Sequence, residues 1–319
     1  MLRSTVPFAS GTLLLCGLLN AQNATTTLLT SVSPTAPKFG QAVTLTATVA
    51  PSIAVGTVSF MDGGTLVGIG KVTGGVAQMT TLTLSAGAHA LRAVYGGSGS
   101  YQPSRSAPFN YIVRAVPGAG FASAVNYADA ETTPTGMAVG DFNGDGQADL
   151  AITNNSNGIA VLLGNGDGTF RPPVSYAVGG GSSSVAVGDF NGDGRIDLVV
   201  ANQGDVSVLL GNGDGTFQSP LTSISLVVQP GSVTVGDFNA DGKADLVAVD
   251  SASNSLNVML GNGDGTFRLP QRYIVNVSYG IQSLAVGDFN GDGKSDLLVP
   301  LVGGVFIVLG NGDGTFQPP

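Results

Sequence analysis

The chain has 319 residues, of which 43% are hydrophobic, 10% are charged and 49 are Gly. It is long enough for two domains and too hydrophobic to be disordered. One His, one Cys and no Trp exclude zinc sites built from His and Cys, thiol nucleophiles and haem attachment. The net charge of −9 argues against a nucleic-acid partner and suits cations or simple solubility. Many Gly and few charges predict an all-β protein with repeats.

The first segment predicts export. Arg3 precedes a short apolar stretch at 11–19, and the small residue Ala21 follows near the expected cleavage position. This pattern is typical of a secretory signal peptide, which we assign to residues 1–21. A lipoprotein signal would use Cys16, but Leu15 stands where a small residue is expected. No later stretch is long and apolar enough to span a bilayer, so we expect a secreted or cell-surface protein with no transmembrane segment in the mature chain.

Residues 25–113 show short strand patterns, separated by Gly and Pro turns, at 41–49, 56–60, 80–84 and 88–95. Such a succession favours a β-sandwich. The segments 39–41, 58–63, 86–89 and 93–95 resemble bacterial Ig-like repeat domains, and the resemblance implies a spacer or adhesive module. His89 lies in one of the strand patterns and is expected to be a satisfied or exposed strand residue. Residues 114–120 are interpreted as a linker.

Residues 121–319 contain a fourfold repeat. The motif Asp-Phe-Asn-x-Asp-Gly recurs with steps of 48, 48 and 51 residues and alternates with Gly-Asn-Gly-Asp-Gly-Thr-Phe. We call these the Asp loop and the glycine-rich turn. The second copy predicts strands at 184–188, 197–201 and 206–210 and a fourth that starts at 216–217. Four strands in such a unit make one propeller blade. The Asp loops start at Asp141, Asp189, Asp237 and Asp288, and the turns at Gly164, Gly211, Gly261 and Gly310.

The ends of the repeat region predict how the blades are arranged. Residues 121–128 align with the fourth strand of the first blade at 170–177, and the sequence stops at 316–319, where the last copy's fourth strand should begin. The strand at 121–128 could therefore complete the last blade and close a four-bladed ring. The alternative is that the four blades are part of a larger propeller.

The Asp loop predicts a metal site. Oxygen-bearing side chains occupy positions 1, 3, 5 and 9, and Gly at position 6 allows the sharp turn. Three carboxylates and an amide suit Ca²⁺, and the backbone carbonyl at position 7 can add a ligand. Position 12 is apolar, unlike in an EF-hand. The alternative is a loop of Asx turns without metal, in which the carboxylates would repel one another. The candidate ligands are Asp141, Asn143, Asp145, Gln147 and Asp149; Asp189, Asn191, Asp193, Arg195 and Asp197; Asp237, Asn239, Asp241, Lys243 and Asp245; and Asp288, Asn290, Asp292, Lys294 and Asp296.

With Phe at position 2 and a strand on each side, the loop resembles the FG-GAP (VCBS-type) repeats of integrin α-subunit propellers. The resemblance covers residues 121–319 and implies one Ca²⁺ per loop, about four in all, and a role in adhesion or ligand binding. The glycine-rich turn offers too few oxygens for a second metal site and is interpreted as structural. The repeated Phe residues, such as Phe190 and Phe217, are interpreted as blade-packing residues.

Together these features predict a secreted, calcium-binding, non-enzymatic adhesion or interaction protein whose blades are stabilised by calcium. Its partner would be an extracellular protein or a glycan. One alternative is a lectin-like propeller, which lacks Trp but has Tyr127, Tyr176, Tyr273 and Tyr279. The other is an accessory module of a polysaccharide-degrading enzyme. Catalysis is disfavoured because the repeat region has few acids outside its motifs, namely Asp129, Glu131, Asp205 and Asp250.

Overall fold

A computed structural model describes residues 22–98, 100–115, 133–155, 158–225, 230–250, 252–275, 281, 283–301 and 304–317. Every regular element in these ranges is a β-strand, so the all-β prediction is confirmed. The predicted signal peptide, the predicted strand at 121–128 and most of the predicted linker lie outside the described residues. Within those ranges, no helix is long and apolar enough to cross a membrane.

The first unit is a sandwich of two antiparallel sheets. One sheet has the order β1-β2-β5; the other has β4-β3-β6-β7, with β8 also pairing β6. Strand β2 alternates buried apolar residues with half-exposed Thr residues, the pattern of a strand with one face on a core. That core contains Phe60, Leu91 and Tyr95. The strands are β1 Thr26–Ser33, β2 Val43–Ala50, β3 Thr57–Asp62, β4 Thr65–Lys71, β5 Val76–Thr81, β6 Gly87–Tyr95, β7 Ser104–Arg105 and β8 Phe109–Val113.

One predicted strand of this unit is misplaced. The pattern at 80–84 predicted a strand there, but β5 ends at Thr81. The Thr81 hydroxyl accepts the backbone N–H of Thr83 at 3.0 Å. This local side-chain bond favours a turn over continuation of the sheet.

His89 is a buried structural residue of β6. Its Nε2 lies 2.8 Å from the Ser85 carbonyl, and its Nδ1 lies 2.6 Å from Oδ2 of Asp62. A carbonyl and a carboxylate both accept hydrogen bonds, so these two partners favour the imidazolium form, in which both ring nitrogens carry protons. Burial lowers the pKa of His89, but the hydrogen bonds to Asp62 and Ser85 and the Asp62 charge outweigh it and leave the pKa raised. The prediction of a satisfied strand histidine is confirmed.

The second unit is a row of four antiparallel blades. They consist of β9–β12, β13–β16, β17–β20 and β21–β23. The first strands of consecutive blades are neighbours, so β13 lies between β9 and β17, and β17 contacts β21. The strands are β9 Pro134–Gly140, β10 Asp149–Asn154, β11 Gly158–Leu162, β12 Val174–Ala177, β13 Ser184–Gly188, β14 Asp197–Asn202, β15 Asp205–Leu209, β16 Leu221–Ser225, β17 Pro230–Gly236, β18 Asp245–Asp250, β19 Ser255–Met259, β20 Gln271–Ile274, β21 Ala285–Gly287, β22 Asp296–Leu301 and β23 Gly304–Val308.

The fourth strand of a blade begins later than the sequence predicted. Phe217 forms a bridge with Gly211 across the glycine-rich turn, and Gln218 N–H donates to the Leu210 carbonyl at 2.8 Å. These residues therefore close the turn instead of starting β16. Pro220, which has no N–H to give to a ladder, separates them from the strand that starts at Leu221.

Three hydrophobic cores lie between consecutive blades, one for each pair. The middle blades are covered on both sides, so every residue of β14 and β18 is buried, as the continuous apolar run at 197–201 predicted. In the part of the chain that the structure describes, no such core joins the fourth blade to the first. Closure of a four-bladed ring remains a prediction.

The His89–Asp62 pair predicts a pH-dependent stability of the sandwich. The pKa of His89 in the folded protein is raised above the reference value of 6.5. The pair therefore contributes its full stabilisation of the fold below pH 6.5, and this stabilisation is lost as the pH rises through the folded-state pKa. The single His gives one resonance to follow in an NMR titration. We expect its midpoint above 6.5 and a melting temperature that falls over the same interval.

The matched variant for this test is Asp62→Asn, which keeps the shape of the side chain and removes its charge. We expect it to lower the His89 midpoint and to weaken the pH dependence of melting. A midpoint at or below 6.5 in the unaltered protein would contradict the assignment.

Candidate metal centre

Each Asp loop connects the first and second strands of its blade. In the first blade, β9 ends at Gly140 and β10 begins at Asp149, so the loop residues 141–148 lie between two paired strands. Position 9 is therefore the first residue of a strand. The same connection occurs in the other three blades, where residues 188, 236 and 287 end the first strand.

The loop backbone holds the side chains of positions 1, 3 and 5. In the first loop, Asp141 accepts the N–H groups of Asp145 and Gly146 at 3.1 and 2.8 Å. Oδ1 of Asn143 accepts the same Asp145 N–H at 3.0 Å, and Asp145 accepts that of Gln147 at 2.8 Å. The second and third loops repeat these bonds. The fourth loop repeats them except that Asp288 accepts the N–H groups of Gly291 and Gly293. These Asx turns direct three oxygen-bearing side chains back onto their own loop.

The carboxylate at position 9 joins the Asp loop to the glycine-rich turn. Asp149 is fully buried. Its Oδ2 accepts the Phe142 N–H, and its Oδ1 accepts the Gly164 N–H, both at 2.8 Å. Position 9 of the other loops makes the same two bonds. The sequence predicted a metal ligand at this Asp, and that remains a prediction. It did not reveal the bridging role, because the second bond reaches a turn in another part of the blade.

Burial leaves negative charge poorly compensated in these loops. It raises the pKa of Asp141 and Asp149 in the first loop, although loop N–H groups act in the opposite direction. In the second and third loops it raises the pKa of position 1 to about 6 and that of position 9 to about 7. Neighbouring loop carboxylates add to each of these increases. A cation at the loop would lower the cost of ionising these groups.

The basic side chains at position 7 stay at the edge of the loop. The Arg195 guanidinium lies 2.7 Å from Oδ2 of Asp193, and both groups are partly exposed. Lys294 lies 3.5 Å from Asp292, and Lys243 donates to the carbonyl of Asn262 at 2.9 Å. This placement is compatible with the expectation that position 7 offers only its backbone carbonyl to a metal.

The loops partly fit a hard cation. Among the described residues, no three Asp, Glu, His or Cys side chains form a ready group able to hold a metal ion. The carboxylates accept hydrogen bonds from their own loop, which is the arrangement of the metal-free alternative. The donor set nevertheless consists only of oxygens, and a carboxylate oxygen that accepts one hydrogen bond keeps a second acceptor site. The chemistry of the set fits Ca²⁺, while binding would require the side chains to converge further.

The glycine-rich turn is structural, as predicted. Oδ1 of Asp167 accepts both the N–H and the hydroxyl of Thr169, and Asn165 donates to that hydroxyl at 2.9 Å. The other three turns repeat these bonds. Both polar side chains of the turn therefore form hydrogen bonds with Thr169.

The turns of the second, third and fourth blades also pack against the Asp loop of the preceding blade. Gly215 N–H donates to the carbonyl of Phe142 at 3.0 Å, and the next two blade pairs repeat the bond. The rings of Phe142 and Phe217 lie 5.5 Å apart, centroid to centroid. Phe190 in turn packs on Phe267 of the third blade. The Phe residues are packing residues as predicted, but they pair between blades, so Phe190 and Phe217 have different partners.

The sandwich lies against the second and third Asp loops. A Cβ built on Gly242 would lie 2.7 Å from Cα of Gly96, so the two backbones are in direct contact. A cavity of about 300 Å³ between the units is lined by sandwich residues such as Met61 and by Asp189 and Asp237. This cover adds to the burial of two loops.

The side chains required by the alternative functions are largely engaged. Tyr176 packs on Phe217 with ring centroids 5.8 Å apart, and Tyr273 packs in the same way on Phe316, so neither is a free stacking platform. Asp205 accepts a hydrogen bond from Asn202, and Asp250 accepts the N–H groups of residues 252 and 253. The remaining candidates, Tyr127, Tyr279, Asp129 and Glu131, lie outside the described residues.

Comparison with known families identifies both units. The profile of the bacterial Ig-like domain (group 3) matches residues 29–114. The profile of the FG-GAP-like repeat matches residues 141–200, 189–248 and 237–299. The chain joins a bacterial Ig-like domain to FG-GAP-like repeats. No curated protein matches it.

Several solved structures resemble this Ig-like and FG-GAP-like chain. One is an Agrocybe aegerita lectin that recognises non-reducing terminal N-acetylglucosamine, with a TM-score of 0.45 and 19% identity, covering 85% of this chain and 77% of that one. Another, from Bacteroides fragilis, is provisionally named a 6-phosphogluconolactonase, with a TM-score of 0.44, 14% identity and coverages of 89% and 82%. A Lactobacillus plantarum protein has a TM-score of 0.43, 12% identity and coverages of 82% and 81%. Likenesses this weak say nothing about function.

Position 4 of the Asp loop predicts a stabilising substitution. The residue there has a left-handed backbone in the third loop, where Ala240 has a φ of 58°. A side chain costs roughly 1 kcal/mol in this conformation, so Ala240→Gly should raise the free energy of unfolding by up to about that amount. Gly144 occupies the same position in the first loop with a φ of 73° and no atom near its missing Cβ. Gly144→Ala should therefore lower the free energy of unfolding by a similar amount. Urea unfolding of both variants checks this. A lower free energy of unfolding for Ala240→Gly than for the unaltered protein would contradict it.

The carboxylate at position 9 should be essential to its blade even without metal. Asp197→Asn keeps one acceptor and turns an amide donor towards a buried N–H, so we expect a loss of about 1–3 kcal/mol in the free energy of unfolding. The control is Asp214→Asn in the exposed turn, which keeps the acceptor that Thr216 uses. Thermal unfolding in excess chelator separates this role from metal binding. Equal effects of the two substitutions would contradict the bridging role.

Proposed function

We propose that the four Asp loops bind Ca²⁺, about one ion each, and that the ions stabilise the blades of a secreted, non-enzymatic adhesion or interaction protein. The observation that carries the proposal is the nine-residue loop itself. In every copy, three carboxylates and one amide oxygen lie within a single turn, and the position 9 carboxylate is buried. Two cationic side chains, Arg195 and Lys294, form ion pairs with described loop acids, and in both pairs the acid is at position 5.

The donors would be the side chains at positions 1, 3, 5 and 9 and the carbonyl at position 7. The ion would supply the positive charge that the buried carboxylates lack, and four divalent ions would offset most of the net charge of −9. Because Ca²⁺ would bind the folded loop and not the unfolded chain, its binding energy would add to folding stability. The expected affinity is that of extracellular modules, with Kd about 10⁻⁴–10⁻³ M.

The biological role rests on the two families. FG-GAP-like repeats suggest a propeller-type interaction module, and an Ig-like domain at its N-terminal side would present or extend it. Export rests on the signal-like sequence at 1–21 and on the extracellular occurrence typical of such domains. The partner would be an extracellular protein or glycan. A lectin-type site is not favoured, because Tyr176 and Tyr273 each pack on a Phe ring of the next blade.

The calcium proposal predicts a stoichiometry and a shift in stability. Calorimetric titration should find about four ions per chain. At ten times Kd, each occupied site should add about 1.4 kcal/mol to the free energy of unfolding, so excess chelator should lower the melting temperature.

Two matched substitutions test whether the ions bind in the Asp loops. Asp141→Asn, which removes one charge from the first Asp loop, should abolish or greatly weaken one of the four sites. Asp167→Asn, in the glycine-rich turn of the same blade, should leave all four. An unchanged melting temperature in chelator, or equal stoichiometry in the two variants, would overturn the proposal.

A further inference from the structure

The repeat places Asn before Gly in two different structural settings. One setting is positions 3 and 4 of the Asp loop, and the other is the second and third residues of the glycine-rich turn. The third Asp loop differs, because Ala240 follows its Asn. Among the described residues, the Asn residues followed by Gly are Asn143, Asn191 and Asn290 in Asp loops and Asn165, Asn212, Asn262 and Asn311 in turns.

An Asn followed by Gly can lose its amide without an enzyme. The backbone nitrogen of the Gly forms a bond to the side-chain carbonyl carbon of the Asn and closes a succinimide ring. The bond from that carbon to the amide nitrogen breaks, and the nitrogen leaves as ammonia with the proton that the backbone nitrogen gives up. Water then opens the ring to Asp or isoaspartate. Gly favours the attack because it has no Cβ to hinder it.

The Asp loop holds both reacting groups in hydrogen bonds. Oδ1 of Asn191 accepts the Asp193 N–H at 3.0 Å, and its Nδ2 donates to Oδ2 of Asp193 at 2.9 Å. The attacking nitrogen is held as well, because the Gly192 N–H donates to Oδ1 of Asp189 at 2.7 Å. The fourth loop repeats these interactions, and the first loop repeats those of the amide. Ring closure would therefore have to break several hydrogen bonds.

The glycine-rich turn leaves the same groups open to reaction. Asn212 is exposed, and its Nδ2 donates to the Thr216 hydroxyl at 2.9 Å. Within the part of the chain that the structure describes, neither Oδ1 of Asn212 nor the Gly213 N–H has a hydrogen-bond partner. The Asn residues of the other three turns are also exposed and make the same single side-chain bond. Ring closure in a turn therefore requires the loss of one hydrogen bond only.

We propose that the glycine-rich turns are sites of spontaneous deamidation, with water as the only co-reactant, and that the Asp loops protect their own Asn residues. The modified residues are Asn165, Asn212, Asn262 and Asn311. The proposal does not depend on calcium.

Deamidation of a turn weakens the contact between blades. At Asn212 it removes the amide that donates to Thr216 and adds a carboxylate two residues from Asp214, which it repels. Isoaspartate also lengthens the turn backbone by one methylene group. The same turn donates the Gly215 N–H to the Phe142 carbonyl of the preceding blade. Successive reactions therefore add negative charge to the chain and loosen the junctions of its blades as it ages.

The test follows each Asn by mass spectrometry of the full chain incubated in mildly alkaline buffer. Excess chelator is present, so that no metal holds the loops, and a parallel sample is unfolded in urea. We expect all seven Asn residues to react at similar rates in urea. In the folded chain, the turn residues should react at least about tenfold faster than the loop residues, whose reaction requires local opening. Asn290 is exposed like the turn residues, so it separates hydrogen bonding from exposure.

Two substitutions test the protection directly. Asp288→Ala removes the acceptor of the Gly291 N–H, so it should accelerate the reaction of Asn290 in the folded chain and leave Asn191 unchanged. Ala240→Gly creates a further Asn-Gly pair in the third loop, which should react fast in urea and slowly in the folded chain.

The proposal is overturned if the turn residues of the folded chain react as slowly as the loop residues, or the loop residues as fast as those of the turns. No acceleration in Asp288→Ala, or a fast reaction of Asn239 in folded Ala240→Gly, would overturn the protective role of the loops. Aged protein should have a lower isoelectric point and a lower melting temperature. An unchanged melting temperature after the turns have reacted would overturn the effect on the blade junctions.

Discussion

The buried carboxylate at position 9 is the interaction on which each blade depends. In the second blade, Asp197 accepts one N–H from Phe190 in the Asp loop and another from Gly211 in the glycine-rich turn. A loop at one strand junction and a turn at another are thereby fixed at the same end of the sheet. The cost is a buried carboxylate in each blade, and in the first three blades burial raises the pKa of that carboxylate. The loops' chemistry follows from this constraint, because any cation they attract would offset that charge.

The same two segments also join one blade to the next. The turn's Gly N–H donates to the carbonyl of the preceding loop's Phe, and the Phe rings pack together across the junction. Blades of this kind contact only their neighbours, so their stability is a sum of unit and interface terms, as in other repeat proteins. Among the described residues, the second and third blades each take part in two such interfaces, and the first and fourth in one. Met137 of the first blade and Val305 of the fourth lie outside these interfaces, and both are exposed.

The sequence predicted much of this architecture because the repeat is written in local patterns. The alternation within 184–188 and the continuous apolar run at 197–201 correspond to β13 and β14 almost residue for residue. Its errors lie where tertiary contacts outweigh local pattern. Phe217 looked like the start of a strand, but it closes a turn. The dual role of Asp197 could not be read from spacing, since its second donor lies 14 residues away and comes close only once the blade has folded.

The shape of the loops suggests what calcium would do. The Asp loop is already held by hydrogen bonds from its own backbone N–H groups to the side chains at positions 1, 3 and 5, and by the bridging carboxylate at position 9. A cation would therefore not need to organise a disordered segment, as zinc does in a zinc finger. It would draw together side chains that already point back onto the loop and relieve their mutual repulsion. On this reasoning the metal-free chain would be folded, and calcium would raise the stability of its blades rather than induce their fold.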